Sequence, residues 1–356
     1  MLRELKVKGF KSLKEISVSL RPLTLLSGLN NSGKSSVLQT IRMLCDSFEE
    51  QGPPMLEGHG GVEELRCKSV SSNERIEIVG TFNNGTTASL FLTDNSCEIP
   101  KTAPMAYYLS AARRGPEVTL PIRRHLGAEE LPYIGNQGEY IVGFLDSLNN
   151  TIVQEPLRHP AAQGITLEYQ LAAWLTEVSP GIDLQYDIDR KRDTSRIEFN
   201  SFRPTNVGFG LSYSLPIITA VLGLSAKAPS NGWECTWGGE WEEQKASRGV
   251  LLMIENPEAH LHPQGQTALG RLLALGARCG LQLLIETHSD HLMDGIRIAV
   301  RDGELNAQDA QFHFFARSTN GETMMETPKL AANGKLNFWP KGFFDQTLRN
   351  RARLAR

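Results

Sequence analysis

The chain predicts an α/β fold organised around a largely parallel sheet, and three observations carry that expectation. A phosphate-binding pattern, Gly28-Leu29-Asn30-Asn31-Ser32-Gly33-Lys34-Ser35, sits between an apolar run at 23–26 and a helix-compatible segment at 35–48. A wholly apolar run at 250–254 reads as a strand buried on both faces of a parallel sheet, and 281–285 reads as a second strand. Helical patterns at 264–278 and 289–302 follow these runs, giving the β-α-β-α order of layered α/β folds.

The elements can be justified in chain order. Residues 2–9 and 16–20 read as strands around the turn-like Gly9-Phe10-Lys11-Ser12, the second supported by alternation in Ile16-Ser17-Val18-Ser19-Leu20. Residues 50–75, rich in Gly, Pro, Glu and Ser, read as a loop or lid. Segments 75–82 and 86–92 alternate about Asn83-Asn84-Gly85, a hairpin signal, and 105–109 reads as a buried strand. From 115 to 205 the pattern shifts to helices at 139–148 and 167–178 and strands at 182–188 and 196–199. This stretch reads as an inserted subdomain, and its lack of sustained heptads excludes a long coiled-coil arm. A glycine-rich turn opens a helix at 210–224, a polar stretch with glycines spans 225–249, and short strands near 311–316 and 322–327 precede a basic tail. The expected organisation is therefore 1–114 as the first part of the α/β core, 115–205 as a helical insertion, 206–305 as the second part of the core, and 306–356 as a small extension.

Composition narrows the class. The chain has 356 residues, is 40% hydrophobic and 22% charged, and carries a net charge of −3, with no global nucleic-acid footprint. Its longest apolar runs are too short to span a bilayer, and Met1-Leu2-Arg3-Glu4 lacks a signal-like apolar segment. The cysteines (45, 67, 97, 235 and 279) are odd in number, scattered and without a C-x-x-C pair, which fits a reducing cytoplasm and argues against structural zinc.

The phosphate loop implies a nucleoside triphosphate. Its glycines let backbone N–H groups curl around phosphate oxygens, and the helix N-terminus adds partial positive charge. Gly28, Asn30, Asn31, Ser32, Gly33 and Ser36 frame the phosphates, Lys34 reaches the β/γ-phosphates, and the Ser35 hydroxyl ligates Mg²⁺. A carboxylate ending a buried strand holds the Mg²⁺ in phosphate-loop enzymes, and Glu255 occupies that position.

The full run Ile254-Glu255-Asn256-Pro257-Glu258-Ala259-His260-Leu261-His262-Pro263 resembles the ABC-class ATPase heads that include SMC proteins and the OLD (overcoming lysogenization defect) family. Stand-alone bacterial AAA family ATPases of the OLD-like branch are the nearest likeness. Further matching pieces are Gly9-Phe10-Lys11-Ser12, Tyr108-Leu109-Ser110 with Arg113 and Arg114, the segment 206–212, Glu286-Thr287-His288-Ser289-Asp290-His291, and 339–345. The resemblance implies an ABC-type P-loop NTPase head with a mixed sheet and an inserted helical subdomain, using ATP and Mg²⁺. It also implies that Gly208, Gly210 and Ser212 form a signature that binds the γ-phosphate held by a second copy, so that ATP joins a head-to-tail homodimer or higher homo-oligomer. His288 takes the place of the switch histidine, and Phe10 and Lys11 flank the base. His260 and His262 fall on the loop that crosses the dimer interface, with packing the expected role, since no third metal ligand is suitably spaced.

The job the resemblance implies is regulation of a separate effector, a nuclease or toxin, in bacterial anti-phage defence. The residues after 302 are too few for a nuclease domain. Two other readings stay open: an ATP-bound scaffold that does not cycle, and a repair ATPase that binds DNA along Arg113, Arg114, Arg123 and Arg124. Trp233, Trp237 and Trp241 recur every four residues and fit either buried packing or a partner surface, with Gly238 and Gly239 weakening a helix there. The tail carries Lys341, Arg349, Arg351, Arg353 and Arg356 against Asp345, a frayed terminus or a grip on an acidic partner.

One departure has a chemical consequence. ABC heads place a glutamate after the magnesium carboxylate to accept the proton of the attacking water, and here that position is Asn256. An amide orients a water but takes no proton, leaving Glu258 and Glu286 as alternative bases. General-base assistance contributes roughly 10²–10⁴ in rate, so slow turnover and a long-lived ATP state are expected. Asn256→Glu should raise steady-state phosphate release; turnover that stays level or falls would remove Asn256 as the limiting residue.

Overall fold

A computed structural model describes residues 1–54, 58–71, 73–123, 131–344, 350 and 353–354. Strands β1 (Leu2–Phe10) and β2 (Leu13–Ser19) form a hairpin, and β3 (Leu23–Gly28) feeds the phosphate loop and α1 (Lys34–Glu49). A one-turn α2 (Val62–Leu65) precedes β4 (Ile76–Phe82), β5 (Thr87–Leu92) and β6 (Cys97–Glu98). Then come β7 (Met105–Leu109), β8 (Leu120–Pro121), α3 (Ile141–Leu148), α4 (Leu167–Val178), β9 (Leu184–Asp189) and β10 (Thr194–Phe199). The chain continues through α5 (Phe209–Ser225), α6 (Gly238–Arg248), β11 (Val250–Glu255), α7 (Pro263–Arg278), β12 (Gln282–Glu286) and α8 (Asp290–Arg301), ending with β13 (Ala310–Arg317) and β14 (Thr323–Glu326).

The central sheet has the order β14-β13-β3-β12-β11-β7. Its pairings β13·β3, β3·β12, β12·β11 and β11·β7 are parallel, and β14 alone runs antiparallel at the edge. The strand carrying the phosphate loop is thus separated from the strand ending in Glu255 by one strand, β12. A second, antiparallel sheet has the order β2-β1-β4-β5-β6. Helix α1 lies between the two sheets. Its Val37, Leu38, Ile41 and Leu44 are buried with Leu5, Val7, Ile78 and Leu90 on one side and Leu26, Leu251, Met253 and Leu284 on the other. Fully burying one such side chain contributes roughly 1.5–3 kcal/mol, so this layer holds the phosphate-loop helix in place.

The opposite face of the central sheet, including Leu25, Leu252, Ile254 and Ile285, packs on α5, α7 and α8. Both faces are covered, which is why 250–254 shows no alternation. Residues 115–205 contribute Phe144, Leu145, Leu171, Trp174 and Phe199 to this same cluster, and β8, β10 and β9 make a small antiparallel sheet beside it. The polar stretch 225–249 contains α6, which begins at the glycines expected to weaken it. Gly238 lies against the Trp233 ring, where a Cβ would collide, so the glycine that lowers helix propensity is what admits the packing. Trp241 is buried on Tyr107, with ring centroids 6.3 Å apart, and Trp237 stacks between Trp233 and Trp241. Trp241 is a core residue, while Trp233 and Trp237 are half-buried against the core and line a surface pocket. Of the basic tail, residues 345–349, 351–352 and 355–356 lie outside the described residues, as does Arg124. Among the described residues no helix is long and apolar enough to cross a membrane.

Strand β13 is tied to the rest by His313, which is fully buried between Ser19, whose carbonyl lies 2.7 Å from Nε2, and the Thr327 hydroxyl, 2.8 Å from Nδ1. Burial pushes its imidazole down to about 4, partly opposed by the Ser19 carbonyl. The unfolded chain protonates this histidine near pH 6.5 while the fold resists until about pH 4, so stability falls as pH drops through that window. The loss is on the order of 3 kcal/mol. Denaturant titrations between pH 7 and 4 should show His313→Gln with a shallower decline than the native chain; an unchanged slope would exclude His313 as its source.

Candidate functional site at the phosphate loop

The site lies at the carboxyl ends of β3, β12 and β11, where an open α/β sheet leaves its loops free to converge. A cavity of about 710 Å³ is walled by the phosphate loop from Asn30 to Ser36, by Lys11, Ser12 and Gln39, and by Asn256, Glu286 and His288. Arg66, Lys68, Arg317 and Glu322 line it as well. Helix α1 starts at Lys34 with Gly33 in the left-handed region (φ 103°) and no side-chain cap, so its first N–H groups open onto the cavity. Asn31 is also left-handed, at φ 62°.

Lys34 is buried. Its Nζ donates to the carbonyls of Gly28 (3.1 Å) and Leu29 (2.9 Å) and lies 3.8 Å from Glu286 Oε1. Burial pulls this ammonium below its ordinary value, while Glu286 pulls it back up. The Ser35 hydroxyl donates to Glu286 Oε1 at 3.0 Å. Glu286 itself is only 6% exposed, and its Oε2 is buried without a hydrogen-bond partner. Burial raises its carboxyl; Ser35 and Lys34 lower it, and Glu255 and Glu258 raise it further.

Glu255 lies one strand away, paired in register with Glu286. Its Oε2 accepts from the Ala111 N–H at 3.2 Å. Arg113, only 3% exposed, crosses beneath it. Its Nη1 donates to the carbonyls of Ser110 (2.9 Å) and Glu255 (2.6 Å), and Nη2 to that of Asn256 (2.6 Å). Burial pulls this guanidinium down to about 10, against the nearby Glu258, Tyr213 and Glu255. Arg113 is therefore a structural clamp and not free for DNA, and Arg114 pairs with Glu117 at 2.7 Å. This part of the proposed basic path is spent internally.

Asn256 holds φ 43° and donates its N–H to the Glu286 carbonyl at 2.8 Å. Asparagine tolerates the left-handed region, whereas a glutamate there would carry roughly 1–2 kcal/mol of strain. The amide thus suits the backbone as well as the chemistry. Glu258 is fully engaged: Oε2 accepts from the Thr287 hydroxyl at 2.7 Å and Oε1 from the His288 N–H at 2.8 Å. It fixes the backbone that presents His288 to the cavity. The His288 imidazole is pulled down by burial and by Lys34, favouring its neutral form.

Several expected residues stand elsewhere. Phe10 is fully buried in the α1 core and does not line the cavity, so no face of its ring is open to a base. Lys11 does line it, with its Nζ 2.7 Å from Gln39 Oε1. Gly208 caps α5, and none of residues 206–212 lines the phosphate-loop cavity. Gly210 packs against the His260 carbonyl, while the rings of Phe209 and Tyr213 cluster on His260, with centroids 5.5 and 4.7 Å away. His262 caps α7 by accepting from the Gln264 N–H. Among the described residues no group of three or more His, Cys, Asp or Glu could hold a metal by itself.

The sequence reading missed the β13–β14 turn. Thr323 Oγ1 donates to the Ser32 carbonyl at 2.9 Å and lies 2.8 Å from the Ser12 hydroxyl, and the Thr323 N–H donates to the Ser12 carbonyl. A Cβ on Gly33 would stand 2.4 Å from the Thr323 hydroxyl, so the glycine is needed for this contact as well as for its φ. Lys14 and Glu322 (3.0 Å) brace the same turn. The signal in the sequence was only the polar Thr-Asn-Gly-Glu turn between two strands, which says nothing about what it touches.

Family comparison places this arrangement. Residues 1–100 and 170–293, more than half of the chain, match the model of an AAA ATPase domain. The chain belongs to that AAA ATPase domain family. Such a domain works on ATP with Mg²⁺. Residues 305–354 match a second family, described as "Protein of unknown function (DUF3696)". No curated protein matches. Among solved structures, an SMC head bound to the C-winged helix domain of ScpA is similar at TM-score 0.50 and 11% identity, over 92% of this chain and 98% of that one. The SMC head of Thermotoga maritima (TM-score 0.47, 13% identity, 92% and 98% covered) and an SMC head with extended coiled coil bound to a ScpA domain from Pyrococcus furiosus (TM-score 0.46, 9% identity, 100% and 99% covered) are also similar. The fold is that of an SMC-like P-loop NTPase head with mixed sheets.

The β13–β14 turn belongs to the segment that matches the uncharacterised family, yet it braces the phosphate loop. Thr323→Val keeps the shape and removes the hydroxyl. A lost hydrogen bond of this kind costs roughly 0.5–1.5 kcal/mol; titration with a fluorescent ATP analogue should therefore show affinity weakened several-fold. Native affinity in that variant would mean the turn does not position the loop.

Proposed function

We propose that this chain is a slowly cycling ATPase that binds Mg-ATP in the phosphate-loop cavity and pairs head to tail with a second copy around it. The observation that carries this reading is the Lys34–Ser35 end of α1. An ammonium and a hydroxyl stand there beside a buried carboxylate at an uncapped helix N-terminus. In this reading Gly28, Asn30, Asn31, Ser32, Gly33 and Ser36 surround the phosphates, Lys34 neutralises them, and His288 senses the γ-phosphate. Pairing with a second copy would give a role to Gly210 and Ser212, which line no part of the phosphate-loop cavity of their own chain.

Slow turnover is supported by the two positions nearest the usual base, and Glu286 stays as the alternative. Asn256 accepts no proton, and both Glu258 oxygens are engaged. The same observations favour a second reading, in which ATP is held as a lasting structural cofactor and the head acts as a scaffold. Regulation of a separate nuclease or toxin effector in anti-phage defence rests on resemblance to OLD-like ATPases. A protein partner docking on the head has a parallel in the SMC heads that bind ScpA.

Steady-state phosphate release by the purified chain, beside Lys34→Ala, separates the readings. A cycling ATPase predicts measurable release reduced at least about 100-fold in the variant. Bound ATP with negligible release would select the scaffold, and release that survives in Lys34→Ala would place the chemistry outside this cavity.

A further inference from the structure

A nucleoside held in the phosphate-loop cavity finds no aromatic side chain to stack on. Phe10 is buried in the α1 core, and the imidazole of His288 is the only ring among the described residues that line the cavity. Strands β12 and β11 lie on one side of β3 and bring Glu286, His288 and Asn256 to the cavity, while β13 lies on the other side and brings Arg317 and the turn that follows it. That turn is closed on itself. The Ser318 N–H donates to the Glu322 carbonyl at 2.9 Å and the Gly321 N–H to the Ser318 carbonyl at 3.0 Å, and Thr323 ties the turn to Ser12 and Ser32. Arg317 Nε donates to the Gly321 carbonyl at 2.8 Å, which fixes one edge of the guanidinium, and neither of its Nη groups has a hydrogen-bond or ion-pair partner among the described residues. The acid of the same turn, Glu322, is paired with Lys14 instead. The other basic side chains on this side of the cavity differ. Arg66 is turned onto Asp94, at 2.7 Å, and onto the Glu74 carbonyl, Lys11 is turned onto Gln39, and Lys68 offers a point charge without a plane.

We propose that Arg317 recognises the nucleoside of the bound triphosphate, its guanidinium plane stacking on the base where an aromatic ring would otherwise serve. This rests on the Mg-ATP reading above and names the residue that reads the nucleoside. With the phosphates on the N-terminus of α1 and the terminal one towards His288, the nucleoside falls on the β13 side, between the turn at 317–322 and the wall formed by residues 64–69. A guanidinium stacks on a π-face and tolerates exposure to water, and one already held along its Nε edge loses little freedom in doing so. The β13–β14 turn then has two tasks. Thr323 braces the phosphate loop, and Arg317 carries the base contact, so the segment that matches the uncharacterised family supplies a ligand-binding residue to the ATPase domain.

The test is equilibrium titration of the full chain, in Mg²⁺, with a non-hydrolysable ATP analogue and separately with inorganic tripolyphosphate, which has the phosphates and no base. The native chain should bind the analogue more tightly than tripolyphosphate. Arg317→Ala should weaken the analogue by about fivefold or more and leave tripolyphosphate within about twofold of native. Arg317→Lys keeps the charge and removes the plane, so it should follow Arg317→Ala, and it covers the case in which Arg317→Ala does not fold. An equal loss for both ligands would make Arg317 a phosphate contact and overturn the assignment, as would native affinity for the analogue in either variant, or a native chain that binds the two ligands alike. Absence of binding of either ligand by the native chain would instead remove the nucleotide reading on which the assignment stands.

Discussion

The site depends on β12 lying between β3 and β11. Parallel pairing in register aligns Leu26, Glu286 and Glu255 across three strands, so the end of each strand delivers its loop to one place. The phosphate loop, the Asn256–His262 segment and the Thr287–Ser289 segment then have no choice but to share a surface. The hydrogen bonds that follow stitch these loops to one another. Asn256 donates to the Glu286 carbonyl, Thr287 donates its N–H to Leu26, and Glu258 grips Thr287 and His288. A slip in the β3–β12 register would undo each of these contacts together.

Charge at this edge is handled unevenly. Arg113 is buried and donates only to backbone carbonyls, so it stiffens the Glu255–Asn256 corner without neutralising a carboxylate by direct pairing. Lys34 makes an ion pair with Glu286 in the cavity wall at 3.8 Å while its hydrogen bonds go to carbonyls. The cavity lining carries more basic than acidic side chains, with Lys11, Lys34, Arg66, Lys68 and Arg317 against Glu64, Glu286 and Glu322, which suits a polyphosphate. The β13–β14 turn adds a constraint from the far end of the chain, since Thr323 joins Ser12 and Ser32 and so couples the β1–β2 hairpin, the phosphate loop and the carboxyl-terminal segment.

Much of this was legible in the primary structure. The strand–loop–helix of residues 23–48, the apolar run that becomes most of β11, and the hairpin about Asn83-Asn84-Gly85 are local patterns, and local steric and burial rules suffice to read them. The boundaries that moved were small but consequential. Placing the end of β12 at Glu286 instead of Ile285 turns that glutamate from a loop acid into a strand-end residue facing Ser35. The helix at 238–248 was masked by its glycines, because propensity cannot know that the Trp233 ring needs the space.

The sequence alone determined that a phosphate-binding loop exists, which residues compose it, and that the residue after Glu255 accepts no proton. Only the tertiary structure decided which carboxylate faces that loop, that Phe10 is core while Lys11 is cavity wall, and that Arg113 is a clamp. It also decided that a turn more than 280 residues away braces Ser32. The division has a physical reason. A backbone motif carries its chemistry in its own neighbours, whereas the role of a lone acid, arginine or threonine is set by which partners consume its hydrogen-bonding capacity, and those partners arrive from strands that meet only when the sheet is formed.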